Sequence, residues 1–133
     1  MAVRLGLNAK LSEYSAAIGL AVWDRVMDEI QHKLELAQRI KAKVEAKVLT
    51  SRSGDLTVYQ AVPIILNSPA HADLALQQLA SAGFEAKHYY KPLTSAEETV
   101  NLYKCSVCLP CHSGLTLDLA DEAIEIINSI NNS

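Results

Sequence analysis

Three cysteines and a histidine stand within eight residues, and they are the side chains of this chain best suited to bind a metal or act as nucleophiles. The segment reads Cys105-Ser-Val-Cys108-Leu-Pro-Cys111-His112. It contains Cys-x-x-Cys-His, the pattern of covalent haem attachment, and a Cys-x-x-Cys-x-x-Cys run similar to iron–sulfur ligation. The segment therefore defines one hypothesis, a small metal-binding protein that uses residues 105–112.

The number and spacing of these ligands argue against a metal. A cubane cluster needs four cysteines, and the chain has three. Zinc with His112 as its fourth ligand would require four ligands in eight residues, unlike the two separated ligand pairs of structural zinc sites. We expect no metal site here. We expect instead a short buried strand whose cysteines act as small hydrophobic residues, with His112 beginning a turn.

Other polar candidates stand near predicted element boundaries. Asn8 and Lys10 precede a predicted helix start, where an asparagine most often binds local backbone and a lysine is usually solvated. His88 and Tyr90 lie in the aromatic segment Lys-His-Tyr-Tyr-Lys-Pro-Leu of residues 87–93, where such side chains are more often core or rim residues. No Gly-x-Ser-x-Gly, Walker or dinucleotide motif is present. The residues alone nominate no catalytic group.

A long helical segment is predicted before these candidates. Residues 12–48 contain no proline, and apolar residues recur there at steps of three and four. Ser12 is a candidate N-cap, while Gly19 and the length of the segment predict a break, so we expect two consecutive helices within residues 1–48. Residues 14–23 carry no charge on any face, which indicates a helix buried against another domain or subunit.

The remaining chain alternates predicted strands and helices. Ser68 as N-cap, Pro69 at the first helical position and Gly83 after the end predict one helix clearly, whereas Pro63 is expected at a strand edge or bulge. The predicted elements are a turn over 50–55, a strand over 56–66, a helix over 70–82, a strand over 84–90, a helix over 95–103, a strand over 105–109 and a helix over 117–130. This order predicts an α+β fold, a small and mainly antiparallel sheet with helices packed on one face. We expect one domain over 1–133, with its α+β part over 56–133.

Composition excludes several classes of partner. The net charge is −3 and the lysines are scattered, so there is no basic stripe for a phosphate backbone and we expect no nucleic acid partner. No apolar run approaches the ~20 residues of a membrane span, and none is placed like the core of a signal peptide. We therefore expect a cytoplasmic protein with reduced thiols and no membrane partner.

Two stretches carry a resemblance to a known family. The first is Gly-Leu-Asn-Ala-Lys-Leu-Ser-Glu-Tyr-Ser-Ala-Ala-Ile-Gly-Leu-Ala at 6–21. The second combines the aromatic segment at 87–93, Leu-Tyr at 102–103 and Cys-Leu-Pro-Cys-His-Ser-Gly-Leu-Thr at 108–116. They resemble DegT/DnrJ/StrS-type sugar aminotransferases, pyridoxal-phosphate (PLP) enzymes that place an amino group on a nucleotide-linked keto-sugar. The resemblance covers nearly all of the chain and implies the small C-terminal domain of a fold-type I aminotransferase.

The resemblance also implies what the chain lacks. In that family the stretch matching 6–21 follows the catalytic lysine, so the PLP-binding domain lies upstream and has no counterpart here. We expect no catalytic residue in this chain, no PLP bound by it alone and no transamination by it alone. The implied partners are a second copy or an N-terminal PLP-binding polypeptide, with a nucleotide sugar as the substrate of the intact enzyme.

The resemblance implies roles for two positions and adds two further candidates. Asn8 matches an asparagine that reaches the PLP phosphate of the neighbouring subunit, and Lys10 stands where many members have an arginine near the phosphates. His88 and Tyr90 are candidate contacts to the sugar nucleotide. The loop over 93–102 is shorter than in most relatives, so the identity of the sugar does not carry over. A non-catalytic oligomerisation module that uses residues 14–23 remains an alternative from another class.

Overall fold

The computed structural model describes residues 10–50 and 57–133. Across these residues the elements are α1 (Glu13–Trp23), α2 (Val26–Lys43), β1 (Lys47–Val48), β2 (Ala61–Ile65), α3 (Pro69–Ser81), α4 (Glu97–Cys105), β3 (Ser106–Pro110) and α5 (Leu117–Asn131). In the described part of the chain, no helix is both long and apolar enough to cross a membrane.

The three strands form an antiparallel sheet in the order β1-β2-β3. Val62 pairs with Leu109 and Ile64 with Val107, and these side chains point toward the core because alternate residues of a strand face the same side. Helices α2, α3 and α5 contribute the rest of this core, so one sheet face is covered by helices. The predicted α+β fold with a small antiparallel sheet is confirmed.

A polar clamp joins α2 to α5 beside this core. The Arg39 guanidinium donates to both carboxylate oxygens of Asp121, each at 2.9 Å, and Lys43 Nζ donates to the same carboxylate at 2.6 Å. The hydrogen bonds from Lys43 and Arg39 hold the pKa of Asp121 below its ordinary value. The clamp connects residues 82 positions apart and fixes the two helices against each other.

The N-terminal segment differs from its prediction in two places. A break at Gly19 is wrong, since Gly19 lies inside α1 and the helices separate at Asp24 and Arg25. A helix tolerates one glycine at a cost of about 1 kcal/mol, and the space around Gly19 is open. Helical structure up to residue 48 is also wrong, because α2 ends at Lys43 and the chain becomes extended to form β1.

Proline explains why β1 is only two residues long. The prediction of an edge or bulge for Pro63 is wrong, since Pro63 lies in the middle of the central strand β2. Its carbonyl accepts from the Leu49 amide at 2.9 Å, so its nitrogen also faces the β1 side, where it has no hydrogen to donate. The regular ladder therefore stops at Val48. Positions 51–55 of the predicted turn and residue 56 of the predicted strand lie outside the described residues.

Helix α3 forms as its boundary residues predict. Ser68 Oγ accepts from the His71 amide at 3.2 Å, Pro69 occupies the first helical position, and Gly83 follows the end with φ of 89°. A positive φ of this size is readily adopted by glycine and strained for other residues, so Gly83 provides the conformation that ends the helix.

The strand predicted over 84–90 is wrong. Only Lys87 pairs, through two backbone hydrogen bonds of 3.0 and 3.3 Å to Cys108 of β3. In a regular ladder Tyr89 would pair next, with Ser106, but the Ser106 carbonyl accepts from His88 Nδ1 at 2.6 Å. A side chain thus occupies the acceptor that would have extended the strand. The strand predicted over 56–66 is confirmed only over Ala61–Ile65, whereas α4, β3 and α5 lie within two residues of their predicted bounds.

Candidate functional site

A groove of about 390 Å³ opens on the sheet face opposite the helices. We call it the tyrosine groove. Its lining residues are Gln60, Ala61, Pro63, Glu85, Tyr89, Tyr90, Cys108 and Pro110. Alternation along β2 produces its floor, because Val62 and Ile64 turn inward and leave Ala61 and Pro63 on the outer face.

Two tyrosines give the groove its chemical character. The side chains of Tyr89 and Tyr90 are 46% and 86% exposed, and their ring centroids lie 5.4 Å apart at 51°. A smaller groove of about 140 Å³ shares both tyrosines with Pro63 and continues toward Ser106. Exposed tyrosines present a flat apolar face and a hydroxyl, a combination suited to the ring of a base or a sugar. The groove can bind and orient such a ring.

The cysteine at the groove is buried in surroundings that disfavour its thiolate. Cys108 is buried, and burial raises the pKa of its thiol, with a smaller opposing effect from the Tyr89 backbone. Burial likewise raises the pKa of the Cys111 thiol, to about 11. Nucleophilic attack and metal ligation both require the thiolate, which these surroundings disfavour. Among the described residues, no three histidine, cysteine or acidic side chains gather into a group that could hold a metal.

His88 does not line the tyrosine groove, and its ring contacts other parts of the chain. Its Nδ1 donates to the Ser106 carbonyl at 2.6 Å, and its Nε2 lies 3.7 Å from the Asp73 carboxylate of α3. Its ring also packs against Tyr103 of α4, with centroids 5.2 Å apart. Both ring nitrogens thus face protein groups, and His88 fastens the aromatic segment to three elements. Its predicted contact with a sugar nucleotide stays a prediction.

The other predicted site residues are not gathered at the groove. Lys10 is exposed two residues before Ser12, the N-cap of α1, and does not line the tyrosine groove. Asn8 lies outside the described residues. Of the predicted substrate contacts, only Tyr90 lines the groove.

Sequence reasoning missed Tyr89, Pro63 and Cys108 as groove residues. Strand alternation could have placed Pro63 on the outer face of the sheet, since it is flanked by the core residues Val62 and Ile64. The signal was not usable without the strand register, which pairs Pro63 with Cys108.

Two grooves among the described residues contain a lysine, and neither combines the groups that PLP needs. A PLP site needs a lysine amine, an acid for the ring nitrogen and a cradle for the phosphate. The grooves that contain a lysine place Lys104 beside Glu97 and Glu98, and Lys33 beside Glu29. Carboxylates at these positions repel a phosphate, and both grooves lie on open helix surfaces.

The fold is shared with solved sugar aminotransferases. PseC of Helicobacter pylori, an aminotransferase involved in the biosynthesis of pseudoaminic acid, matches with a TM-score of 0.77 and 20% identity over 97% of this chain and 40% of its own. The putative sugar aminotransferase Spr1654 of Streptococcus pneumoniae, in its PMP form, matches with a TM-score of 0.75 and 19% identity over 92% of this chain and 36% of its own. A DegT DnrJ EryC1 StrS aminotransferase of Brucella abortus gives a TM-score of 0.74 and 21% identity over 98% and 39%.

These values define the class of fold, and the sequence defines the family. The DegT/DnrJ/EryC1/StrS aminotransferase family profile matches residues 1–128, so the chain belongs to that family. No curated protein matches the sequence. The chain spans about 36–40% of the length of these three solved relatives and corresponds to a fragment of such an enzyme.

Proposed function

We propose that this chain is the C-terminal domain or fragment of a PLP-dependent nucleotide-sugar aminotransferase, and that it does not transaminate alone. The observation that carries the proposal is the family match over residues 1–128 in a chain that spans about 36–40% of its solved relatives. The groups that PLP needs are not combined in either lysine-containing groove of the described part. The remaining length of the relatives is the natural source of these groups.

In the intact enzyme, this chain would supply contacts to ligands and no proton-transfer group. Asn8 would donate its amide N–H to the PLP phosphate of the neighbouring subunit, and Lys10 would add positive charge nearby. PLP, when bound, supplies the carbonyl carbon that carries the amino group. Tyr90, at the rim of the tyrosine groove, would contact the sugar or base of the nucleotide sugar, while His88 holds the segment that carries it.

Complementation tests this proposal. We expect the purified chain to retain no visible PLP absorption after desalting, alone or after incubation with the cofactor. Co-expression with the PLP-binding polypeptide of a related sugar aminotransferase should yield a complex that binds PLP and transfers an amino group to a keto-sugar nucleotide. Failure of every such pairing would contradict the proposal.

A variant pair tests the phosphate contact within that complex. Asn8→Ala should weaken PLP retention about tenfold or more, since one hydrogen bond to a charged group contributes about 1.5–3 kcal/mol. Asn101→Ala, at an exposed position of α4, is the matched control and should leave retention unchanged. Equal retention by both variants would refute the role of Asn8.

A non-catalytic oligomerisation module is the second candidate, and α1 favours it. This helix has no buried residue, although Tyr14, Ile18, Leu20, Val22 and Trp23 are all large and at least partly apolar. Association of the chain without any affinity for PLP or a PLP-binding partner would support this alternative over the aminotransferase fragment.

A further inference from the structure

One segment of the chain forms a wall of two neighbouring grooves. The tyrosine groove of about 390 Å³ and the smaller groove of about 140 Å³ are both lined by Tyr89, Tyr90 and Pro63. The segment from Tyr89 to Leu93 carries both tyrosines, and we call residues 89–93 the tyrosine strap. Each tyrosine borders open space in two grooves, whereas a side chain packed at the density of a core borders almost none. The tyrosines therefore have space into which they can move.

Few interactions hold the tyrosine strap to the rest of the chain. No hydrogen bond joins residues 90–93 to any other residue that the structure describes. The Tyr90 side chain is 86% exposed, and the Leu93 side chain is fully exposed. A segment with few hydrogen bonds and little buried apolar surface opens at a small cost in free energy. The tyrosine strap can therefore move while the core stays folded.

Hydrogen bonds hold the chain at both ends of the tyrosine strap. On the N-terminal side, His88 Nδ1 donates to the Ser106 carbonyl of β3 at 2.6 Å. On the C-terminal side, Thr94 Oγ1 accepts from the Ala96 amide at 3.2 Å, directly before α4 begins. A weakly held segment between two fixed ends has the construction of an active-site or binding-site lid.

We propose that the tyrosine strap is a lid that opens while the core stays folded and closes over a planar ring bound in the tyrosine groove. His88 is its positioning residue, because the hydrogen bond to Ser106 holds the start of the strap against β3. Opening joins the two grooves and exposes the Cys108 thiol, which contacts the Tyr89 backbone in the closed form. Closure places the Tyr90 ring against the bound ring, so the ligand shifts the population toward the closed form.

The charge of the groove indicates which ring is suitable as a probe. Glu85 is the one charged side chain among the lining residues of the tyrosine groove, and it is 85% exposed. A carboxylate repels a phosphate, while the tyrosine and proline faces suit an uncharged planar ring. Uridine, a neutral nucleoside, is therefore the probe for closure.

Thiol labelling of the unmodified chain tests whether the lid opens. Under native conditions, a disulfide reagent should initially label Cys108 at least about tenfold faster than Cys111, with each labelled residue identified by tandem mass spectrometry. Cys111 is the internal reference because it belongs to the hydrophobic core and becomes accessible only when the core unfolds. Equal initial rates at the two thiols would overturn the proposal, since access to Cys108 would then also require unfolding of the core.

A variant pair at His88 tests its positioning role. His88→Leu removes the hydrogen bond to Ser106 and should raise the labelling rate of Cys108 about two- to tenfold, the effect expected for one hydrogen bond. His88→Asn keeps a side-chain N–H near the position of Nδ1 and should return the rate to within about twofold of the parent chain. The rate at Cys111 should change little in either variant. An equal increase at both thiols, or an unchanged rate at Cys108 in His88→Leu, would refute the role of His88.

Uridine tests closure of the lid. At a saturating concentration, determined for each chain by NMR titration, uridine should slow the labelling of Cys108 at least about fivefold and leave Cys111 unaffected. Tyr90→Ala removes the ring that closes and should lose most of this protection, whereas Tyr14→Ala, at an exposed position of α1, is the matched control. Full protection in Tyr90→Ala would mean that uridine alone covers the thiol. That result, or a parent chain that uridine does not protect, would overturn the closure.

This inference does not depend on the aminotransferase assignment, because every measurement uses the chain alone. Failure of complementation would leave the labelling rates unchanged. Conversely, a strap that does not open would leave the complementation result unchanged, so the two proposals fail separately.

Discussion

Replacing an isoleucine by alanine should lower the free energy of unfolding far more in β2 than in α1. Ile64 is 0% exposed in the central strand, whereas Ile18 lies on a helix that buries no residue. Ile64→Ala removes three carbons, roughly 2.4 kcal/mol of transfer free energy, and leaves a cavity that adds about 1–2 kcal/mol. We expect Ile64→Ala to lower the free energy of unfolding by about 3–4 kcal/mol.

The same change at Ile18 should cost little. At most half of the transfer term applies to a side chain that is 49% exposed, and alanine recovers about 0.4 kcal/mol through its higher helix propensity. We expect a loss below about 0.8 kcal/mol. Leu20→Ala, at another exposed α1 position, should behave like Ile18→Ala and serves as its matched control.

Urea unfolding monitored by circular dichroism provides the comparison. The unfolding curves should be recorded at two chain concentrations, so that any association through α1 can be separated from folding. At the m-values of small domains, the loss expected for Ile64→Ala moves the midpoint by roughly 1–4 M urea, and Ile18→Ala should barely move it. If Ile18→Ala lowers the free energy of unfolding by about 2 kcal/mol or more, α1 belongs to the cooperative core. The interpretation that α1 packs against another domain or subunit would then be wrong.

Three further predictions concern the clamp, a helix end and the thiols. The pKa of Asp121 is lowered in the folded chain, so the clamp stabilises the fold above the ordinary carboxyl pKa of about 3.9 and is lost as acid protonates the carboxylate. Asp121→Asn should therefore lower the urea midpoint at pH 7 and approach the parent chain as the pH falls well below the ordinary carboxyl pKa; an equal deficit at neutral and acid pH would contradict this. Gly83→Ala should cost about 1 kcal/mol in urea unfolding because φ is 89° there, and an unchanged midpoint would contradict that geometry. Cys111, with its thiol pKa raised to about 11, should react with a disulfide reagent at least ~100-fold more slowly in the native chain than in urea, and fast native labelling would refute its burial.

Local chemistry predicted some elements well. Ser68, Pro69 and Gly83 fixed both ends of α3, because a hydroxyl acceptor, a missing N–H and a positive φ each act within a few residues of their own position. The apolar period of α5 predicted most of its inward face, since Ala123, Ile127 and Ile130 are buried. Leu119 was also expected to face inward, and that prediction is wrong, because its side chain is 40% exposed.

The errors arose where distant contacts decide the structure. The strand predicted over 84–90 stops after Lys87 because the His88 side chain occupies a carbonyl 18 residues away. Residues 47–48 leave the helical pattern because β2 offers them a pairing partner. Neither the end of pairing after Lys87 nor the extended conformation of residues 47–48 can be predicted from the local sequence pattern.

The candidate site was predictable only in part. Tyr90 was named from the family resemblance over residues 87–93, whereas Pro63 joins the groove through the sheet register that pairs it with Cys108. His88 carries ordinary binding chemistry in the sequence, yet its two nitrogens face Ser106 and Asp73. Residue type showed what these side chains can do, and tertiary structure determined which groups they meet.

The clamp between α2 and α5 also has a consequence for synthesis of the chain. Arg39 and Asp121 are 82 residues apart, so α2 is made long before the helix that covers it. At a synthesis rate of about 5–20 residues per second, α5 is made about 4–16 s after α2, and the apolar face of α2 stays uncovered during that time. During this interval, nascent-chain chaperones and neighbouring chains can reach Leu36 and Ile40, which the finished fold buries completely. Because α2 is buried against α5, folding of this domain waits until α5 has been synthesised.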